Sequence, residues 1–128
     1  MVTPLKQNEK LEINSSTRSF RPWGYYEILH QGKGFQIKYI VVKPDASLSL
    51  QMHHHRDEHW IVKSGIAKVI CDDKELTLSE NGTIYIPKKS KHRLTNTDNK
   101  NLEIIEIQFG SYLGEDDIVR FEDNYGRV

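Results

Sequence analysis

Short runs of apolar, β-branched and aromatic residues recur from Phe20 onward, and clusters of turn-forming residues separate them. No segment keeps a helical period of apolar residues for long. Such runs are typical of strands, and clusters such as Gln31–Gly34 and Asp72–Lys74 are typical of hairpin turns. The pattern predicts about nine strands, which are Tyr25–Leu29, Phe35–Val42, Leu48–His53, His59–Lys63, Ala67–Cys71, Glu75–Leu78, Thr83–Pro87, Arg93–Asn96 and Leu102–Phe109. Short strands at this regular spacing indicate an all-β sandwich or small barrel.

The two ends of the chain lack this pattern. Residues 1–19 are polar and aperiodic, which predicts an N-terminal arm in front of one globular domain over residues 20–128. A strand from such an arm could pair with a sheet edge of a second subunit, so we expect a homodimer. Near the C-terminus, acidic residues before Ile118 and Val119 predict a short helical turn over Glu115–Val119.

Composition and charge narrow the possible partners. The chain has 128 residues, which is enough for one hydrophobic core, and its 18 basic and 18 acidic residues cancel. Without a net basic field, we expect neither nucleic acid nor a membrane surface as a partner. No apolar run is long enough for a membrane span or a secretory signal, so we expect a cytoplasmic protein. The single cysteine, Cys71, excludes an intrachain disulfide and a zinc site built from several cysteines.

A cluster of histidines carries the strongest chemical signal. Four of the six histidines lie between His53 and His59, close to Gln51 and Glu58. Residues two apart on a strand share one face, so Gln51 and His53 point to the same side, and Glu58 opens the next strand. Imidazole and carboxylate groups ligate divalent first-row metals, and His92, just before another strand, could supply a fourth ligand. The alternative is a solvated polar loop.

Two motifs around this cluster resemble those of the cupin superfamily. The segment Pro44–His53, then Glu58 after four residues and Gly65 after six more, is similar to the first cupin motif. The second motif is matched in order by Gly82, Pro87–Lys89, His92 and Asn96. Asp45 and Lys89 stand where the family usually has glycines. The resemblance implies a cupin fold, which is a double-stranded β-helix of jelly-roll type.

Three further segments are similar to the cupin domain of type II mannose-6-phosphate isomerase, and they are Arg21–Gly24, Leu48–Arg56 and Tyr112–Arg120. In that family the cupin domain commonly follows a mannose-1-phosphate guanylyltransferase domain, so the resemblance implies the isomerase function alone. It also implies one divalent metal ion held by four residues, Gln51, His53, Glu58 and His92. Zinc is the first expectation, and manganese, iron, cobalt and nickel stay open. Whether His55 replaces Gln51 as a ligand also stays open.

Interconversion of mannose 6-phosphate and fructose 6-phosphate needs a Lewis acid, a base and a cation for the phosphate. Glu106 is the candidate base, because a strand inside a small barrel can direct one face into the cavity. In the alternative, Glu106 and Gln108 point to water. Arg120 is the first candidate for the phosphosugar, since it belongs to the matched C-terminal segment. The other candidate cations near the motifs are Arg56, Lys91 and Arg93.

Two other functions remain open at this point. A chain without the guanylyltransferase domain could be a non-catalytic module that binds a metal and a sugar. It could also be another cupin enzyme acting on sugar derivatives, such as a deoxysugar epimerase, or a small dioxygenase. An assay of hexose 6-phosphate conversion separates these alternatives from the isomerase.

Overall fold

A computed structural model of the protein describes residues 17–127. Over this range the chain forms eleven strands and no helix, so nothing in the described part could cross a membrane as a helix. The strands are β1 (Arg18–Arg21), β2 (Gly24–Gly32), β3 (Phe35–Val42), β4 (Leu50–Met52), β5 (Arg56–Ser64), β6 (Ala67–Cys71), β7 (Lys74–Leu78), β8 (Thr83–Ile86), β9 (His92–Asn96), β10 (Leu102–Gly110) and β11 (Val119–Glu122).

The strands form two antiparallel sheets that enclose one core. The larger sheet has the order β1-β2-β3-β10-β5-β8, and the smaller has the order β11-β4-β9-β6-β7. Both sheets contribute side chains to a single buried cluster, with Trp60 and Ile104 from the larger sheet and Val69 and Leu94 from the smaller. Burial of these apolar faces holds the sheets together. The predicted all-β sandwich or barrel is confirmed.

All nine predicted strands are present, with ends shifted by a few residues, and β1 and β11 are additional. The helical turn predicted over Glu115–Val119 is wrong. The chain instead makes a turn in which the Asp117 amide donates to the Gly114 carbonyl oxygen at 3.2 Å, and β11 begins at Val119. Contacts of Asp117 with a distant loop decide this conformation. The predicted arm lies mostly outside the described residues, and the domain boundary at residue 20 stays a prediction.

The two cupin-like motifs meet at their turns. Lys89, which stands in place of a glycine, has a φ of 69°, and Asp45 has a φ of 59°. A non-glycine residue in this left-handed region costs about 1 kcal/mol. The turn brings the Lys89 amide to the His53 carbonyl oxygen at 2.7 Å, which joins the first motif directly to the second.

Asn96 joins the two sheets, and its replacement should destabilise the protein. It is fully buried on β9, and its Nδ2 donates to the carbonyl oxygens of Val42 on β3, at 3.0 Å, and of Lys100, at 2.8 Å. Asn96→Ala leaves these acceptors without this donor, and we expect it to lower the free energy of unfolding by about 1–3 kcal/mol. Urea denaturation measures the change, with the exposed Asn99→Ala as control. Equal midpoints for both variants would contradict this role.

Candidate metal centre and adjoining cavity

Three potential metal ligands converge inside the barrel. His53 follows β4, Glu58 lies on the inner face of β5, and His92 begins β9, where it pairs with Gln51. His53 Nε2 lies 3.4 Å from Glu58 Oε2, and His92 Nε2 lies 3.7 Å from Glu58 Oε1. The three ligand atoms lie within 4.8 Å of one another, and the three residues are only 1–3% exposed. This spacing allows one cation to contact all three.

Both histidines are oriented by backbone carbonyl groups. His53 Nδ1 donates to the Asp117 carbonyl oxygen at 2.6 Å, and His92 Nδ1 donates to the Ser90 carbonyl oxygen at 2.9 Å. These bonds leave the proton on Nδ1, so the lone pair of each Nε2 is directed toward Glu58. Burial, helped by the charges of Arg56 and His92, lowers the pKa of His53 to about 4, so its ring is neutral at pH 7. Neutral imidazoles are the form that ligates metals.

The donor set fits a divalent cation. Among residues 17–127, His92 Nε2 is one of three buried side-chain nitrogen or oxygen atoms without a hydrogen-bond partner. A buried acceptor without a partner is costly, and a metal ion would satisfy it. Two imidazoles and one carboxylate are ligands that zinc and related metals accept.

The fourth predicted ligand lies beside this cluster. The Gln51 amide nitrogen is 3.4 Å from His53 Nε2, and its oxygen accepts a hydrogen bond from Ser49 at 2.7 Å. A half-turn of the amide would direct the oxygen to the site. His55 is exposed, and its ring stands against Tyr112 with 6.1 Å between centroids. The structure therefore brings Gln51, and not His55, next to the other ligands.

Arg56 contacts the ligand side chains themselves, which sequence reasoning missed. Its Nε donates to Glu58 Oε2 at 2.8 Å, and its Nη2 lies 3.2 Å from His53 Nε2. A bound metal would use these same two atoms and would replace both hydrogen bonds. The signal in the sequence is the spacing of two residues between Arg56 and Glu58, which places them on one face of β5.

Glu106 lies inside the barrel, and the alternative in which it points to water is wrong. It is 5% exposed, and its two oxygens accept from Trp60 Nε1 at 2.9 Å and from Gln108 Nε2 at 2.5 Å. Trp60 Nε1 also lies 3.1 Å from Glu58 Oε1, so the indole bridges the two carboxylates. Burial and the charge of Glu58 raise the pKa of Glu106. Glu106 does not itself line the cavity that adjoins the metal cluster.

A cavity of about 110 Å³ adjoins the metal cluster. It has five cationic side chains against a single carboxylate, that of Glu115, and its lining comprises Arg21, Trp23, Tyr26, Lys38, Ile40, Leu48, Gln51, His53, Arg56, Glu115, Ile118, Arg120 and Arg127. The Lys38 ammonium is held by Glu115 Oε2 at 2.6 Å. This excess of positive charge suits an anionic ligand. The sequence pattern alone does not indicate Arg21, Lys38 or Arg127 as residues of the site.

The four candidate phosphate cations divide into two groups. Arg56 and Arg120 line the cavity, and the buried Arg120 Nε has no hydrogen-bond partner among the described residues. Lys91 and Arg93 do not line the cavity. Lys91 Nζ stands over the Phe121 ring at 4.3 Å, and Arg93 Nε donates to the Leu48 carbonyl oxygen at 3.0 Å. Arg120 is thus a cavity-lining cation with a donor still free.

Comparison with known proteins identifies the family. A sequence model described as "Mannose-6-phosphate isomerase C-terminal" matches residues 7–123. The chain belongs to this family. It is 57% identical over its whole length to the alginate biosynthesis protein AlgA of Pseudomonas putida, of which it covers 26%. It is 54% identical to the xanthan biosynthesis protein XanB of Xanthomonas campestris and 46% identical to the mannose-1-phosphate guanylyltransferase ManC of Salmonella typhimurium. Each of these two matches spans 100% of this chain and 27% of the relative.

The chain therefore spans about a quarter of the length of these relatives. Solved structures with much lower identity share its fold. Oxalate decarboxylase from Bacillus subtilis has a TM-score of 0.76 at 16% identity, over 85% of this chain and 31% of that chain. A Klebsiella pneumoniae protein with a double-stranded β-helix domain has a TM-score of 0.71 at 12% identity, over 87% of this chain and 95% of that chain. The predicted cupin fold is confirmed.

Proposed function

We propose that this chain interconverts mannose 6-phosphate and fructose 6-phosphate with the help of one divalent metal ion. The observation that carries the proposal is one cavity lined both by His53 of the metal cluster and by several cations. An aldose–ketose isomerase needs a Lewis acid and a phosphate site within the length of one hexose phosphate. Membership in the isomerase family supports the same reaction.

The metal would be held by His53, Glu58 and His92, with Gln51 as a fourth ligand after rotation of its amide. When bound, a divalent ion supplies a Lewis acid that polarises the sugar oxygens next to the reacting carbons. Zinc is the first candidate, and manganese, iron, cobalt and nickel accept the same ligand types. Burial of the cluster beside an open cavity is typical of a catalytic site that leaves a position for substrate.

Arg120 would hold the phosphate, because its free, buried Nε can donate a charge-assisted hydrogen bond. Glu106 would be the base that takes the proton from C2 of mannose 6-phosphate and returns it to C1. The proton of the C2 hydroxyl group would pass to the C1 oxygen, so that the carbonyl group moves from C1 to C2. Burial and the charge of Glu58 raise the pKa of Glu106, which strengthens its carboxylate as a base. Glu115, which lines the cavity directly, is the alternative base.

A coupled assay for fructose 6-phosphate tests the reaction. Purified protein with mannose 6-phosphate should form fructose 6-phosphate when supplied with a divalent metal, and chelation should stop the reaction. Readdition of the metal should restore it. Protein that binds one metal ion per chain and converts neither hexose 6-phosphate would contradict the proposal and would support the non-catalytic binding module.

Arg120→Ala should weaken the use of phosphosugars without loss of metal. A charge-assisted hydrogen bond is worth roughly 1.5–3 kcal/mol, so we expect kcat/KM for mannose 6-phosphate to fall about 10- to 150-fold. Steady-state kinetics and metal analysis on the same preparation provide the two measurements. Lys91→Ala is the matched control, because Lys91 is a nearby exposed cation outside the cavity. Equal losses in both variants would contradict a specific role for Arg120.

A further inference from the structure

Asp117 makes an unusual set of contacts with the segment that carries a metal ligand. Its side chain is 6% exposed. Its two carboxylate oxygens accept from consecutive backbone amides, those of His54 at 2.9 Å and His55 at 3.0 Å. Its backbone carbonyl oxygen accepts from the His53 ring at 2.6 Å. One residue therefore contacts three successive residues that lie more than sixty positions earlier in the chain.

These contacts determine where the His53 ring points. The bond from Nδ1 fixes the ring and its tautomer, so Nε2 faces Glu58 and His92. The Asp117 carboxylate holds the backbone of His54 and His55, the two residues that follow His53. These two residues belong to no strand, because β4 ends at Met52 and β5 starts at Arg56. Each carboxylate oxygen accepts one of these two amides, so the side chain holds both residues of the loop at once.

Asp117 also lies three positions before Arg120, the proposed phosphate residue. It precedes β11, in which Arg120 is the register partner of Gln51 on β4. The turn at Gly114–Asp117 and the strand after it form one continuous segment along the cavity, since Glu115, Ile118 and Arg120 all line it. Displacement of Asp117 would change the position of His53 and of this segment together.

We propose that Asp117 is a positioning residue that holds His53 in the orientation required for metal binding and thereby joins the C-terminal segment to the metal centre. The proposal rests on the metal site of the proposed function and not on isomerase turnover. It assigns the aspartate a role that differs from that of its neighbour Asp116, which is exposed and contacts the Tyr112 hydroxyl.

Titration of the metal-free full chain with Co²⁺, followed by its visible absorption, tests the proposal. Outer partners of metal-ligating histidines typically contribute about 10- to 100-fold to metal affinity. Asp117→Ala keeps the backbone carbonyl group but loses both carboxylate contacts that hold it against the His53 loop. We expect the variant to weaken Co²⁺ binding by up to that factor and to alter the absorption band, which reports ligand geometry. Asp117→Asn should lose less, because its amide oxygen can accept from one of the two backbone amides. Asp116→Ala is the matched control and should bind Co²⁺ as the wild type does.

Unfolding of the metal-free proteins separates positioning from folding. If Asp117→Ala does not fold, Asp117→Asn decides. A folded Asp117→Asn variant with weaker Co²⁺ binding and an unchanged unfolding midpoint supports the proposal, and wild-type affinity overturns it. Wild-type chain that binds Co²⁺ but converts neither sugar would contradict the proposed function alone. Wild-type chain without affinity for Co²⁺ would overturn both.

Discussion

His53→Ala and His92→Ala should each abolish binding of the divalent ion, and with it all isomerase turnover. The three ligand atoms lie within 4.8 Å of one another, and each histidine supplies one of the two imidazole donors. Each variant keeps one carboxylate and one imidazole, with the Gln51 amide nearby. Such a reduced set of ligands rarely retains an exchangeable metal. Metal analysis of the purified proteins should find close to one ion per wild-type chain and none in either variant.

His55→Ala is the control for this experiment, because His55 is exposed and stands outside the cluster. It should keep full metal content and turnover. Full occupancy in both His53→Ala and His92→Ala would contradict the ligand assignment. Metal loss in His55→Ala would instead make His55 the ligand in place of Gln51. Thermal unfolding of the chelated proteins checks that each variant folds.

Glu106→Gln should lower kcat by about 10²- to 10⁴-fold, the contribution of a general base, with little change in KM or metal content. The substitution keeps the size of the side chain and an acceptor for Trp60, but it removes the proton-accepting carboxylate. Steady-state kinetics with mannose 6-phosphate and metal analysis measure the two effects. Glu103→Gln is the control, because Glu103 is on the opposite face of β10, where it contacts Tyr39 and Lys63.

Glu115→Gln tests whether Glu115, rather than Glu106, is the base. Glu115 lines the cavity, and its Oε2 contacts Lys38 and lies 3.9 Å from Arg56 Nη1. If Glu115→Gln loses turnover and Glu106→Gln keeps it, Glu115 takes the role of base. If both variants retain wild-type kcat, neither carboxylate transfers the proton.

Strand β10 shows that local sequence does not predict which face of a strand is buried. Side chains alternate between the two faces of a strand, which predicts that every second residue of β10 lies on the same face. The structure confirms this for Leu102, Ile104, Glu106 and Gln108, which are all buried. It does not predict which face is inside, because the opposite face is also rich in apolar residues. The polar pair is buried because partners from other strands satisfy it, Trp60 for Glu106 and Gln36 for Gln108 at 2.9 Å. Such partners are invisible to a pattern confined to one strand.

The C-terminal segment shows the same limit. Acidic residues followed by Ile118 and Val119 favour a helical turn locally. Asp117 instead meets the amides of His54 and His55, and β11 pairs with β4. Tertiary contacts outweigh a weak local preference here, since a single helical turn has little stability of its own.

The sequence by itself determined nine of the eleven strands, through alternating polarity and turn residues. The four candidate metal ligands followed from the resemblance of its two motifs to those of cupins. Those features depend on neighbours within one or two strands. Only the tertiary structure decided that Arg56 contacts the ligand side chains, that Glu106 is buried, and that Arg21, Lys38 and Arg127 line the same cavity as Arg120. These residues come together because the two sheets pack face to face, and that packing depends on the whole buried core.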